Sequence, residues 1–318
     1  MDLIIKPTEL CNFKCTFCSS TDIAEDSTSI LELDVIYDFL DKNPDTNTII
    51  VNGGDPLMMP PAYYWSILDY IKDTKTTVSF TTNLWPFYVK PEKWLDIFKH
   101  PQVGVNTSFQ YGTGRLKGDY TVFTEEDFWG VSDSMLKYVG YRPDFIAVVV
   151  EGEESLAIKN VELAKKMDVE CKLNYAMASG DQDKPLLLAS IYRIYLEIYD
   201  RGLGKWEYNT KDIIKSINNE GTACPRNRTC EEGIRCLQPE QPQYTCGAFA
   251  DDKEYPIGES FREDLNLLSM TDSCFTCPLF NLCNGCAKTI KDHKRFNMQH
   301  THCFEMKQIE KQLLEMNE

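Results

Sequence analysis

Residues 1–18 read MDLIIKPTELCNFKCTFC. A short β-type run, Leu3–Lys6, precedes three cysteines spaced C-x3-C-x2-C at Cys11, Cys15 and Cys18. The cysteines follow the strand so closely that they fall on the loop leaving it. In a barrel of parallel strands this loop opens at the C-terminal face, where active sites are built. A structural zinc site closes with four ligands. A four-iron cluster also takes four thiolates as a rule. Three thiolates leave one metal position open to bind something else. The competing interpretation is half of a zinc site.

Working outward, the same β-then-α pattern repeats. Further strand-like runs are Thr48–Val51, Thr77–Thr82, Val103–Ser108, Phe145–Val150 and Glu170–Tyr175. Between them, residues 31–42, 61–73 and 154–167 carry helical periodicity. Val35, Ile36, Phe39 and Leu40, then Tyr64, Ile67, Leu68 and Ile71, then Leu156, Leu163 and Met167 mark the apolar faces. Six such units predict an α/β fold with a parallel sheet and crossover helices. A full eight-unit barrel needs about 250 residues, so the expectation is a partial (β/α)6 TIM-like barrel, open on one side. A helix is predicted over 184–201 and another over 304–316. Residues 201–206 (RGLGKW) read as a turn and a boundary, dividing the chain into 1–203 and a small cysteine-rich part, 204–318.

Composition sharpens this. The formal net charge is −16, which argues against general nucleic-acid binding. No run of about 18 apolar residues is present, and the first residues are too short an apolar stretch for a signal peptide. A cytoplasmic protein is expected, in which thiols stay reduced. The 13 cysteines segregate: three at 11–18, one at 171 and nine at 224–303. Segregation points to metal binding or catalysis. Residues 221–303 show little periodicity, so bound metal would serve as their core.

The motif on a first-strand loop resembles that of the radical SAM superfamily. The resemblance implies that Cys11, Cys15 and Cys18 hold a [4Fe–4S] cluster whose open iron binds S-adenosylmethionine (SAM). Phe17 then stands near the adenine. NGGDP (52–56) resembles the family's Gly-Gly-Glu-Pro segment at the SAM amino group, with Gly53, Gly54 and Pro56 kept and Asp55 in place of Glu. TTN (81–83) resembles Thr-Asn-Gly, with Asn83 kept and Leu84 where Gly stands. VGVNTSF (103–109) resembles a segment where many relatives have Ser-x-Asp-Gly, with Asn106 at the Ser position and Ser108 at the Asp position; Asn106 is the candidate for the ribose. Arg115 is the candidate for the SAM carboxylate. A strand-end cap and a solvated arginine are the plainer alternatives for the last two assignments.

The later cysteines run C224-x5-C230, Cys236, Cys246, then C274-x2-C277-x5-C283-x2-C286-x16-C303. Two C-x-x-C pairs suggest a zinc ribbon, but there are too many thiols for one zinc. The pattern resembles the SPASM extension, which carries two auxiliary [4Fe–4S] clusters. By position this implies Cys224, Cys230, Cys246 and Cys286 for one cluster, and Cys274, Cys277, Cys283 and Cys303 for the other. Two departures are x2 rather than x3 between Cys283 and Cys286, and Gln241 where Gly usually stands. Cys171 reads as a core residue and Cys236 first as a spare thiol, with an alternative ligand or a substrate-facing group as the other readings. His293, His300 and His302 read as polar linker.

Family resemblance implies reductive cleavage of SAM to a 5′-deoxyadenosyl radical and hydrogen abstraction from a substrate. Relatives that mature sulfatases carry an Asp base directly after the cysteine matching Cys246; here Gly247 stands there, which disfavours that assignment. Asp251, Glu263 and Asp264 lie nearby, with solvated acids as the default, so the base stays unassigned. Three functions follow: modification of a peptide or protein side chain, radical chemistry on a small molecule such as a modified amino acid or nucleotide, or a non-enzymatic metal scaffold. A reductant such as flavodoxin or ferredoxin is implied. The first strand begins by residue 3, so a peptide-recognition domain would be a separate partner. No membrane association is expected.

Overall fold

The alternating runs form strands, and the strands pair in parallel. The computed structural model describes residues 1–20, 29–180, 182, 184–218, 233–240, 242–257, 276–283 and 286–316. Its strands are β1 (Asp2–Ile5), β2 (Thr48–Val51), β3 (Thr77–Thr81), β4 (Val103–Ser108), β5 (Phe145–Val149), β6 (Cys171–Tyr175) and β7 (Ile234–Leu237). They lie in the order β6-β5-β4-β3-β2-β1-β7, forming a half-barrel. Alternation decides the two faces. Leu3, Ile5, Ile49, Val51, Val78, Phe80, Val105, Ala147, Cys171 and Leu173 are buried with the helices in one core. Ile4, Ile50, Ser79, Asn106, Ser108, Ile146 and Asn174 alternate with them and line the inner face, all partly exposed.

The sheet holds one strand more than the six predicted units. β7 comes from the cysteine-rich part and pairs with β1, Ile4 opposite Cys236. Its four residues, IRCL, are too few to reveal a period.

Helices α1 (Leu33–Lys42), α2 (Pro61–Ile71), α3 (Trp85–Val89), α4 (Leu95–Phe98), α5 (Glu125–Tyr138), α6 (Leu156–Met167) and α7 (Leu188–Asp200) follow the strands. The predicted faces are buried in α1 (Ile36, Phe39, Leu40) and α2 (Tyr64, Ile67, Leu68, Ile71), whereas Val35 is exposed. The sequence reading left α5 unplaced. Its start is nevertheless written there: Thr124 caps the Asp127 N–H at 3.2 Å, and Asp127 accepts from the Thr124 N–H at 2.9 Å.

Beyond the half-barrel come α8 (Tyr208–Ile217), α9 (Gly247–Asp252), α10 (Phe280–Cys283), α11 (Ala287–Arg295), α12 (Gln299–Gln308) and α13 (Glu310–Leu314). Glu207 ties α8 to the sheet. One carboxylate oxygen accepts from the Leu173 N–H at 2.9 Å, the other from the Thr210 N–H and hydroxyl at 2.6 and 2.7 Å. His293 and His302, expected in a polar linker, are instead buried in α11 and α12 with rings 4.9 Å apart. Burial holds His293 down at about 4. Among the described residues no helix is long and apolar enough to cross a membrane.

Two outcomes follow. Glu207→Ala removes three acceptor contacts in a buried place and should lower unfolding free energy by about 3 kcal/mol in urea titrations. His293 folds neutral but unfolds to a group titrating near 6.5, so the unfolded state binds more protons below that pH. The His293 share of stability should therefore fall by about 2 kcal/mol between pH 7 and pH 5. His302, held down by burial and by the neighbouring His293, adds in the same direction, so His293→Gln should remove only the His293 share.

Candidate active site

The loop carrying Cys11, Cys15 and Cys18 is held on three sides. On the β2 side, strand-like pairing continues past the strand ends. Asn52 N–H donates to Ile5 O at 3.0 Å, Gly54 N–H to Thr8 O at 3.0 Å, and Asp55 N–H to Leu10 O at 2.8 Å. Glycine is required here. Gly53 has φ +114°, and a Cβ on Gly54 would stand 2.1 Å from Leu10 O. The close approach these glycines permit is made to the chain's own backbone, one residue before Cys11.

Asp55 anchors the next link. Its buried carboxylate accepts from the Leu57 N–H at 2.9 Å, the Thr82 hydroxyl at 2.9 Å and the Asn83 N–H at 2.8 Å. Burial raises it to about 6 against those hydrogen bonds. The loops after β2 and β3 are thus joined. Asn83 in turn donates to Asn12 Oδ1 at 2.8 Å, inside the cysteine motif. Leu84, standing where a glycine was expected, does adopt a left-handed conformation, φ 58°, with its side chain fully buried.

On the β4 side, Thr16 N–H donates to Gly114 O at 2.9 Å and Lys14 N–H to Leu116 O at 2.8 Å. This pairing brings Arg115 to the motif. Its guanidinium donates to Ser108 Oγ at 2.9 Å and Gln110 Oε1 at 3.1 Å, and lies 5.2 Å from the Phe17 ring centroid. Arg115 is 6% exposed, and its Nε is buried without a partner. Burial pulls its pKa down, and the three motif cysteines push it back up. Phe17, Ser108 and Arg115 therefore meet; Asn106 faces the same inner wall but donates to Ser79 Oγ at 3.2 Å. Gln110, which the sequence reading missed, also accepts from the Val148 N–H at 3.1 Å and so fixes Arg115 to β5.

On the β6 side, Ser179 Oγ donates to Ser19 O at 3.1 Å. Lys6, at the end of β1, pairs with Asp251 of α9 and donates to Gly247 O at 3.1 Å. Asp251 also accepts from Ser19 and Ser20 hydroxyls, each at 2.7 Å. It is a clamp whose side chain is 11% exposed, not the solvated acid expected. Ion pairing has replaced solvation.

Cys11, Cys15, Cys171, Cys236, Cys277 and Cys286 are free thiols. Burial, with Asp55 nearby, pushes the Cys11 thiol up, while the Phe13 N–H, 3.4 Å from its sulfur, opposes this. Metal charge would favour the thiolate. Cys171 is core. Cys236 packs fully buried against Tyr244, Phe249 and Ala250, its thiol pushed up to about 12 by burial. Cys246 and Cys286 stand at the N-termini of α9 and α11; Cys277 and Cys283 are half-buried, and Cys303 is exposed. Cys224, Cys230, Gln241, Glu263, Asp264 and Cys274 lie outside the described residues. Among the described residues no group of three His, Cys, Asp or Glu is placed to hold a single metal ion; thiolates of a four-iron cluster bind separate irons.

The model of the Radical SAM superfamily matches residues 5–187, and the chain belongs to that superfamily. Membership implies a [4Fe–4S] cluster and SAM, and the three-thiol loop beside a buried, incompletely bonded arginine fits both. The fold is shared with native anSMEcpe solved with AdoMet and the Cp18Cys peptide: 16% identity, 98% of this chain and 97% of that one, TM-score 0.74. It is also shared with Streptococcus suis SuiB bound to precursor peptide SuiA: 14% identity, 90% and 71% coverage, TM-score 0.63. No curated protein matched the chain.

Gly54→Ala should displace the Leu10 carbonyl and with it Cys11. Iron retained after anaerobic reconstitution should drop severalfold, read by iron assay. Asp55→Asn offers one acceptor oxygen to donors that now use two, and should cost about 2 kcal/mol in thermal unfolding.

Proposed function

We propose that this protein abstracts hydrogen from a peptide or protein side chain. When bound, the cluster and SAM supply a 5′-deoxyadenosyl radical through one-electron reduction, with the electron from a flavodoxin- or ferredoxin-like donor. Cys11, Cys15 and Cys18 would hold the cluster, and Phe17, Gly53, Gly54, Asp55, Pro56, Asn83, Asn106, Ser108 and Arg115 would contact or position SAM. The observation that carries this is Arg115. It is buried beside the motif, held by Ser108 and Gln110, with Nε unpartnered. A buried guanidinium with an unused donor suits a carboxylate.

The peptide substrate is supported by two neighbours in fold, each solved with a peptide. The inner wall supports it too, since Ser79, Asn106, Ser108 and Asn174 offer neutral donors and acceptors to amide groups.

The cysteine-rich part, from 204 onward, is read as a SPASM-type unit. Cys224, Cys230, Cys246 and Cys286 would hold one auxiliary [4Fe–4S] cluster, and Cys274, Cys277, Cys283 and Cys303 the other. Support comes from α9 and α11. Both begin at members of the first set, and the two helices are joined by the ion pair Asp252–Lys288 at 3.0 Å.

Anaerobic reconstitution should give about 12 irons per chain and 5′-deoxyadenosine on reduction. Cys15→Ala should abolish that product, while Cys277→Ala should keep it. Arg115→Met should weaken SAM binding about 100-fold. Label from deuterated candidate peptides should appear in 5′-deoxyadenosine; label only from small molecules overturns the peptide reading. Bound zinc without SAM turnover overturns the enzyme.

A further inference from the structure

The inner face of the half-barrel has an open side, between the edge strands β7 and β6. Contacts among four segments close it, and they form a circuit. Ser19 Oγ, just past Cys18, donates to Asp251 at 2.7 Å. Asp252, the next residue of α9, pairs with Lys288 Nζ of α11 at 3.0 Å. Lys288 donates to Ala178 O, past β6, at 2.9 Å. Ser179, next in the chain, returns to Ser19 O at 3.1 Å. Gly180 presses on the same loop, since a Cβ there would stand 2.3 Å from Cys18 O.

Side links brace the circuit. Lys6 anchors Asp251 to β1. Asp292 accepts from Lys288 at 2.6 and 2.7 Å, and Tyr175 of β6 hydrogen-bonds Thr289. Lys291 adds contacts to Asp252, at 3.5 Å, and to Glu254. The members are dry: Lys6, Asp251, Asp252, Lys288 and Asp292 have side chains between 0% and 11% exposed. Buried charges persist only when paired. Removing Asp251 leaves Lys6 without its carboxylate, and removing Lys288 leaves Asp292 without the cation that bonds both its oxygens, so the circuit favours an all-or-none closure.

We propose that Asp251, Asp252 and Lys288 form a latch that closes the seam between the β7 and β6 edges of the half-barrel. They are positioning residues for the Cys18 segment. Adjacent acids on α9 meet different neighbours, Asp251 the cysteine loop and Asp252 α11, so one short helix spans the gap. The latch excludes water from the chamber and fixes the third thiol of the motif through Ser19 and Ser20.

The test is hydrogen–deuterium exchange on the full-length, iron-reconstituted protein, with Asp251→Asn, Lys288→Met and the double variant. A closed circuit predicts that either single change speeds exchange about tenfold in both flanks, 12–20 and 176–180. The double variant should add little to the larger single effect, because one cut already opens the seam. Independent ion pairs would give the opposite result: each variant speeds only the segment it touches, and the double equals the product of the two. That outcome overturns the latch. If Lys288→Met does not fold, Asp252→Asn cuts the same link. The reduced cluster's EPR signal with SAM reads the positioning role. Asp251→Asn should alter it and Asp251→Glu should restore it; an unaltered signal in Asp251→Asn overturns that role. The exchange arm does not depend on the substrate proposed above, so its failure is distinguishable from failure of that reading.

Discussion

The site depends on a backbone contact that tolerates no side chain. Residues 53–55 lie along residues 8–10, with hydrogen bonds of 3.0 and 2.8 Å and no space for a Cβ at position 54. This contact extends the β1–β2 pairing beyond the strands. It carries the first strand's precision into the loop that bears the three cysteines. Asp55 then passes the constraint to β3 through Thr82 and Asn83, and Asn83 returns it to Asn12. A loop of short, weakly apolar sequence acquires a defined shape because two neighbouring strands hold it by backbone and carboxylate.

Buried charge organises the rest. Arg115, Lys6, Lys288, Asp55, Asp251 and Glu207 are all removed from water, and each sits where separate elements meet. Such groups are poor sources of net stability, since desolvation offsets attraction. They are effective at specifying geometry, because each has few satisfactory partners. A protein that generates a reactive radical benefits from that. The walls around SAM must hold their positions while exclusion of water keeps the radical from wasteful reactions.

Much of this was legible in the chain. Three thiols on a first-strand loop, the GGDP turn and the repeated β-then-α pattern identified the half-barrel and its active end. The Thr124–Asp127 capping box could have placed α5, which apolar periodicity alone did not. Other features gave no local signal. β7 is four residues long and becomes a strand because β1 offers an unpaired edge. Asp251 looks like any surface acid until α9 brings it to Lys6, 245 residues away in sequence. His293 and His302 look polar, yet the packing of α11 and α12 keeps them dry and neutral.

By itself the sequence determined the three-cysteine loop after the first strand, the strand and helix periods, and the glycines at 53 and 54. These are properties of residues within a few positions of one another, and short-range sterics and spacing settle them. Only the tertiary structure decided which polar groups lose water and which partners they find. It put Arg115 against Phe17, turned Asp251 from a solvated acid into a clamp, and joined residues 19, 252, 288 and 178 across the open side. Desolvation belongs to the assembled protein, because it depends on everything packed around a group and not on the group's neighbours along the chain.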